Sequence, residues 1–390
     1  MFNKLPTAWL QLSYYKSKLL VAIGGITFII SLIFMQLGFQ TAFIDGAVRL
    51  PDSIQGDIFL MSSRSNSMIS LTNFSDRHLV RALAFPEVDY ITPIYVDSAQ
   101  WRNPQNKKLW RKIYVLGLTL DRNILNLPGI AANLDKLKIT DVVLFDRNSR
   151  AEYGDVPSLL SQQDVTTEVR GKSISDRKVS IGGLFSLGTS FGIDGTIVTS
   201  DLNFLRIFSS RQKGFINLGV VKLKPDSDLD SVIAQMRSIF PQDLKIIAKT
   251  ELLRTERSYW QKRTSIGFIF NLILAGSIIV GIVIIYQILH SNISDCLVEF
   301  ATLKAIGYPH NYLLNVVYQE AIILSLLGYF PGFVISLFVY QFSRNATNLP
   351  IFMDASKALL VLAIALIITT ISGAITIQKL KHANPADIFG

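Results

Sequence analysis

The sequence predicts a membrane α-helical fold, four transmembrane helices with a large extracytoplasmic α+β domain inserted between the first and the second. Three observations carry that expectation. Four apolar runs, 19–39, 263–289, 321–340 and 358–377, are each long enough to cross a hydrocarbon core of about 30 Å at 1.5 Å per residue. The stretch between the first two, residues 40–262, has ordinary polarity and room for one large or two small lobes. The whole chain of 390 residues is 49% hydrophobic with a positive mean hydropathy, which points away from a purely soluble protein.

Residues 1–18 hold Lys4, Lys16 and Lys18 with no acid, beside Trp9, Tyr14 and Tyr15. Amphipathic rings next to lysines suit the headgroup layer, so this stretch reads as an interfacial helix on membrane lipid. The run Leu19–Phe39 carries no formal charge. It is longer than the apolar region of a signal peptide and lacks a small-x-small cleavage site, so it reads as the first span.

Within 40–262, period-two alternation at Val88, Tyr90, Thr92, Ile94 and Val96 predicts a strand. Apolar runs at 113–118, 142–145 and 218–223 predict others. Helices are expected over Asp76–Ala84, behind an N-cap Ser75, and over Leu229–Phe240. Strand 219–224, helix 229–240 and strand 244–248 form a compact β-α-β unit. From an N-cap at Thr250 a single helix is expected to run through Arg254 and Trp260 into the span ending near Leu289, about 58 Å of stalk. The remaining segments are a cytosolic loop at 290–320, a short external loop at 341–357 and a tail at 378–390. Pro331 is expected to kink the third span. Gly328 and Gly332, four apart, either make a small-xxx-small face for close helix contact or simply tolerate that kink.

With four spans, the N-terminus, the loop with Lys304 and the tail with Lys379 and Lys381 share one side. The positive-inside rule makes that side cytosolic; a multi-pass protein of the inner membrane is the expectation. Arg254, Arg257, Lys262 and Arg263 then lie outside, in an insert too long for the rule to govern.

Composition also excludes. A single cysteine, Cys296, rules out an intrachain disulfide framework and a cysteine zinc site. The net charge of +9 is scattered, with no basic stripe interleaved with aromatics, so nucleic acid is not a partner. Gly171-Lys172-Ser173 mimics the end of a Walker A loop, but Thr166 stands where its first glycine is required. A turn between two strands is the better reading. Gly182, Gly183, Gly188, Gly192 and Gly195 lack dinucleotide spacing, and the four histidines, His78, His290, His310 and His382, are not spaced as ligands on one helix face. No catalytic residue, metal site or cofactor site is expected in this chain.

One stretch organises the rest: DCLVEFATLKAIGYPHNYLLNVVYQEA, from Asp295 to Ala321. Leu297, Phe300, Ala301 and Lys304 share a helical face, Gly307 stands as a C′ residue and Pro309 prevents continuation. On pattern alone a capped interfacial connector fits. The string VEFATLKAIGYPHNYL resembles the cytoplasmic loop of FtsX-like ABC permeases, where a coupling helix docks on an ATPase subunit. LPDSIQGDIFL from Leu50, FSLGTSFGIDG from Phe185, TSDLNFLRIF from Thr199 and ERSYWQKRTSIGF from Glu256 resemble the DevC-type branch of the MacB class. The resemblance implies ATPase contacts at Glu299, Phe300, Leu303, Lys304 and Gly307, and a stalk marked by Arg254 and Trp260. It implies a homodimeric exporter permease, ATP bound on a separate ABC ATPase subunit, an HlyD-like membrane fusion protein and a TolC-like outer-membrane channel. The cargo would be a lipid, glycolipid or peptide, moved by mechanotransmission. A non-transporting regulator of cell-wall hydrolases and a lipoprotein-releasing permease would share this topology and stay open as readings.

Overall fold

The computed structural model describes residues 7–14, 16–172, 176–190, 192–296, 302, 306–347 and 349–381. The chain divides into two compact units, a helical one built from residues 1–42, 265–347 and 351–390, and an α+β one built from 43–264 with 348–350. Four helices among the described residues are long and apolar enough to span a membrane, over Lys16–Ser53, Ser265–Asp295, Leu314–Ala346 and Ala355–Thr376.

The helices, in chain order, are α1 (Thr7–Tyr14), α2 (Lys16–Ser53), α3 (Asp76–Arg81), α4 (Ile130–Asn133), α5 (Val156–Leu160), α6 (Asp201–Ile207), α7 (Leu229–Ile239), α8 (Lys249–Ser258), α9 (Ser265–Asp295), α10 (His310–Thr347) and α11 (Ala355–Lys381). The first and third apolar helices run well past the expected 19–39 and 321–340, each to 38 residues. In the α+β unit the strands are β1 (Ile58–Ser62), β2 (Phe74–Ser75), β3 (Val88–Arg102), β4 (Trp110–Leu118), β5 (Val142–Asp146), β6 (Thr166–Arg170), β7 (Arg177–Phe185), β8 (Thr196–Ser200), β9 (Phe215–Ile216), β10 (Leu218–Leu223) and β11 (Leu244–Ala248).

Nine of these strands make one sheet in the order β11-β1-β10-β3-β4-β8-β5-β7-β6. The long strand β3 serves the sheet twice. Its first half pairs with β10 and its second half with β4, while Gln100 and Trp101 also pair antiparallel with Arg170 and Val169 of β6. That last pairing closes β3, β4, β8, β5, β7 and β6 into a ring, and the other three strands extend from its side. The expected β-α-β unit is present in split form. Strands β10 and β11 are joined by α7, but both are antiparallel to β1, which lies between them.

Side chains alternate between two cores, one on each face. Ile58 and Leu60, Ile113 and Val115, and Val143 and Phe145 go to one, with Trp101, Phe204 and Met236. Phe59 and Met61, Tyr114 and Leu116, and Leu144 go to the other, with Leu50, Ile54, Ile130 and Leu252. A sheet covered on both faces needs apolar residues at successive positions, which is why several strands read as continuous apolar runs rather than as alternation. Local signals place the helices. Asp228 accepts from the backbone N–H groups of Asp230 and Ser231 at the start of α7, and Ser200 caps α6 through Asn203. Ser75 precedes α3 as expected but makes no side-chain cap.

In the helical unit, Gly328 and Gly332 of α10 bring its backbone against α2. A Cβ at Gly328 would lie 2.5 Å from Ile26 Cγ2, and one at Gly332 would lie 2.9 Å from Ile30 Cγ2. Thr27 Oγ1 donates to the Gly328 carbonyl at 3.2 Å, and Ser31 Oγ, which donates to the Thr27 carbonyl at 2.8 Å, also lies 3.4 Å from the Gly332 carbonyl. Lipid offers no hydrophobic gain for helix pairing, so close packing and such hydrogen bonds hold the pair. Pro331 sits inside α10, which continues on both sides of it.

Replacing Gly328 with leucine drives a side chain into the stiff β-branched Ile26 and is expected to destabilise by about 1–3 kcal/mol. Thermal unfolding in detergent micelles should show a lowered midpoint for Gly328→Leu. Gly24→Leu, on α2 where an added Cβ meets open space, should leave it unchanged. Equal midpoints for both variants would show that the glycine face does not hold these helices together.

Candidate functional site

The α+β unit receives the chain at 43–54 and releases it at 249–264, and both segments pack on the same core through Leu50, Ile54 and Leu252. Trp260 is the anchor of the outgoing segment. It is buried, meets Phe43 edge-on with ring centroids 5.3 Å apart, and donates its indole N–H to Glu256 Oε1 at 2.9 Å. Gly192 packs over it, since a Cβ there would stand 3.1 Å from the Trp260 ring. Arg257 pairs with Asp45 at 3.4 Å, an exposed contact of small worth.

This anchoring overturns the continuous stalk expected from Thr250 to Leu289. Helix α8 ends at Ser258, Tyr259–Arg263 form one π-helical turn, and Thr264 is extended at φ −101° and ψ 147° before α9 begins. The N-cap is Ala248 rather than Thr250. The region contains no proline or glycine that would stop a helix, so the break is tertiary in origin. Trp260 is held from three sides, and the wider π turn accommodates it. Thr264 Oγ1 then donates to the Trp260 carbonyl at 2.7 Å, satisfying a group that the broken ladder would leave unpaired.

Glu256 is the residue that sequence reasoning missed. Its carboxylate is buried, and it accepts the Met68 backbone N–H at 2.9 Å as well as the Trp260 indole. Burial pushes its pKa up to about 6, although both hydrogen bonds act to lower it. Leu252, Glu256 and Trp260 recur every four residues, so the acid stands on the buried stripe of α8 between two apolar neighbours. That spacing was the available signal. Nearby, Asp146 is fully buried and accepts the backbone N–H groups of Asn148, Leu187 and Gly188, which fastens residues 187–188. Burial raises its pKa as well.

The other expected site residues are dispersed. Arg254 is exposed on α8. Glu299, Phe300, Leu303 and Lys304 lie outside the described residues. Gly307 has φ +101°, the left-handed region that favours glycine and stops a helix, and an added Cβ there would meet open space. Just before it, the Ile306 N–H donates to the Thr302 carbonyl at 3.0 Å, one helical turn. At the same end of the helical unit, Lys18 pairs with Asp295. Among the described residues no group of three histidine, cysteine or acidic side chains would hold a metal.

Four apolar helices with an α+β unit inserted between the first and second define the class, a multi-pass membrane protein. Residues 271–385 match the family described as FtsX-like permease C-terminal. Two curated relatives, the macrolide export ATP-binding/permease proteins MacB of Campylobacter jejuni subsp. jejuni serotypes O:2 and O:23/36, are each 20% identical over 377 residues. The match takes in 93% of this chain but 56% of theirs, so the chain spans about half the length of those relatives. Two solved structures also match in part. The periplasmic region of MacB from Actinobacillus actinomycetemcomitans gives a TM-score of 0.37 at 12% identity, over 52% of this chain and 94% of that one. The extracellular domain of the noncanonic ABC-type transporter YknZ from Gram-positive bacteria gives 0.33 at 10%, over 49% and 98%. Residues 271–385 thus carry an FtsX-like permease C-terminal region, and the chain is similar along most of its length to the two MacB proteins.

The Glu256 carboxyl binds its proton more tightly in the folded unit than in the unfolded chain. Its contribution to stability is therefore most favourable at low pH and falls as pH rises from about 4.5 to about 6, by on the order of 2 kcal/mol. The stability difference between wild type and Glu256→Gln, followed by tryptophan fluorescence in urea at pH 4.5 and pH 7, should change by that amount. A difference independent of pH would show that Glu256 titrates as a solvated carboxylate.

Proposed function

We propose that this chain is the membrane permease subunit of an ATP-driven exporter of MacB type, with ATP hydrolysed on a separate ABC ATPase subunit. The observation that carries the reading is the permease match over 271–385, which spans the second to fourth apolar helices and the loop holding Gly307. In this reading Glu299, Phe300, Leu303, Lys304 and Gly307 make the contacts with the ATPase.

The termini are cytosolic and the α+β unit is extracytoplasmic, as the lysine bias favours. The permease works as a homodimer with an HlyD-like membrane fusion protein and a TolC-like outer-membrane channel, and its cargo is a lipid, glycolipid or peptide taken up outside the inner membrane. The macrolide export named for the Campylobacter jejuni relatives belongs to the same class of work.

The break at Thr264 changes how force would be carried. The helix that passes unbroken from the helical unit into residues of the α+β unit is α2, Lys16–Ser53, and not the stalk after Thr250. Motion at the ATPase face is therefore transmitted through α2, while the π turn and Thr264 let α9 swivel.

Two measurements test this reading on the chain reconstituted with its ATPase subunit. Phe300→Ala removes an apolar interface anchor worth a few kcal/mol and should lower stimulated ATP hydrolysis more than tenfold. Wild-type hydrolysis would reduce the loop to a connector. Thr41→Gly combined with Ala42→Gly softens α2 by about 1 kcal/mol per glycine. ATP hydrolysis should survive there, whereas the ATP-dependent signal of a fluorophore on Gln163→Cys, in a background lacking Cys296, should be lost. A retained signal would rule out α2 as the lever.

A further inference from the structure

A cleft of about 380 Å³ opens in the α+β unit between β3, the 69–73 segment and the 208–217 segment. That is within the size range of small-molecule sites. Its frame is rigid. Arg211 has a side chain only 9% exposed, lies over the Phe204 ring with its guanidinium carbon 5.3 Å from the centroid, and donates to the Val96 carbonyl at 3.1 Å and to Asn217 Oδ1. The same Asn217 oxygen accepts the Val96 N–H at 2.8 Å, and its amide nitrogen donates to the Leu71 carbonyl at 3.3 Å. Two walls of the cleft are thereby tied together by buried polar side chains, a preorganised arrangement.

The charges in the cleft do not balance. One carboxylate oxygen, Asp97 Oδ2, faces both Lys172 Nζ at 3.0 Å and Arg211 Nη1 at 3.6 Å, while Asp97 Oδ1 accepts the Ser98 N–H. Two cations share one anion, so one positive charge is left over at a concave surface. Lys172 is 69% exposed and has three donors for that one carboxylate, and the buried Arg211 Nε has no hydrogen-bond partner among the described residues. Ile69, Leu71 and Phe208 supply an apolar wall beside these cations, and Asn73, Ser98 and Ser210 a polar rim.

We propose that this cleft binds a small amphiphilic anion, a carboxylate on a short apolar body, with the carboxylate at Lys172 and Arg211 and the body against Ile69, Leu71 and Phe208. The site lies wholly within the α+β unit and does not depend on the export reading.

The test is titration of hexanoate into the full chain in nanodiscs of zwitterionic lipid, with hexanol and acetate as controls, followed by calorimetry. Hexanoate should bind saturably at one site per chain, more tightly than either control, and more weakly as salt is raised. Lys172→Glu reverses an exposed charge and should weaken hexanoate binding about tenfold. Ser210→Trp, on the exposed rim, fills the cleft without touching its charges and should abolish binding. Both positions are exposed, and unchanged thermal midpoints would show that the fold is intact. The proposal is overturned if hexanoate does not saturate, if hexanol or acetate binds equally well, or if neither variant changes the affinity.

Discussion

Hydrocarbon offers no partner to a backbone N–H or carbonyl, and the helical unit follows from that one constraint. Each apolar segment must satisfy its backbone internally, so each becomes a helix. Polar side chains within the segments obey the same rule. Thr369, Thr370 and Thr376 turn their hydroxyls back to the carbonyl four residues earlier, and Ser372 reaches across to the Ile282 carbonyl at 2.9 Å. Once every helix is self-contained, surface shape decides which ones meet. Missing side chains at Gly328 and Gly332 then matter more than any apolar residue, because they let two backbones come within reach of Thr27 and Ser31.

In the α+β unit water is available, and the governing relation is different. The sheet has apolar side chains on both faces and must bury both. One face is closed by the ring of strands around Trp101 and Phe145 and by helices α3, α6 and α7. The other is closed by the segments through which the chain enters and leaves, 50–54 and 249–252, with 124–137. The connections toward the membrane helices are therefore part of the core, and Trp260 and Glu256 are buried for the same reason.

What could be read from the sequence was what neighbouring residues decide. The uncharged runs, the alternation from Val88 to Val96 and the acid-capped stripe of α7 are local patterns, and each marks the element it encodes. The small-xxx-small pair at Gly328 was visible too, but its partners Ile26 and Ile30 were not, since spacing names a face and not the neighbour it meets. Ring closure through Gln100 and Arg170 joins residues far apart in the chain and has no periodic signature. Thr264 was misread for a related reason. Every residue from Lys249 to Arg263 tolerates a helix, and the π turn and break come from the fit of Trp260 against Phe43 and Gly192. The charge imbalance around Asp97 likewise exists only after folding brings Lys172 and Arg211 to one oxygen.

Ring closure also bears on how the protein behaves in a crowd. Among the described residues, strand β6 has partners on both sides, which leaves β11 as the one open edge of the large sheet. An exposed apolar edge is where chains add to one another as strands and where aggregation begins. Here the edge is five residues long, and the guanidinium of Arg237 sits on it, with Nε donating to the Ile246 carbonyl at 2.9 Å. The acceptor at the middle of the edge is already taken, so an incoming strand would have to displace a charged side chain that Glu251 also holds at 3.0 Å. A membrane protein that exposes so much apolar surface in its helical unit keeps its sheet from becoming a second route to self-association.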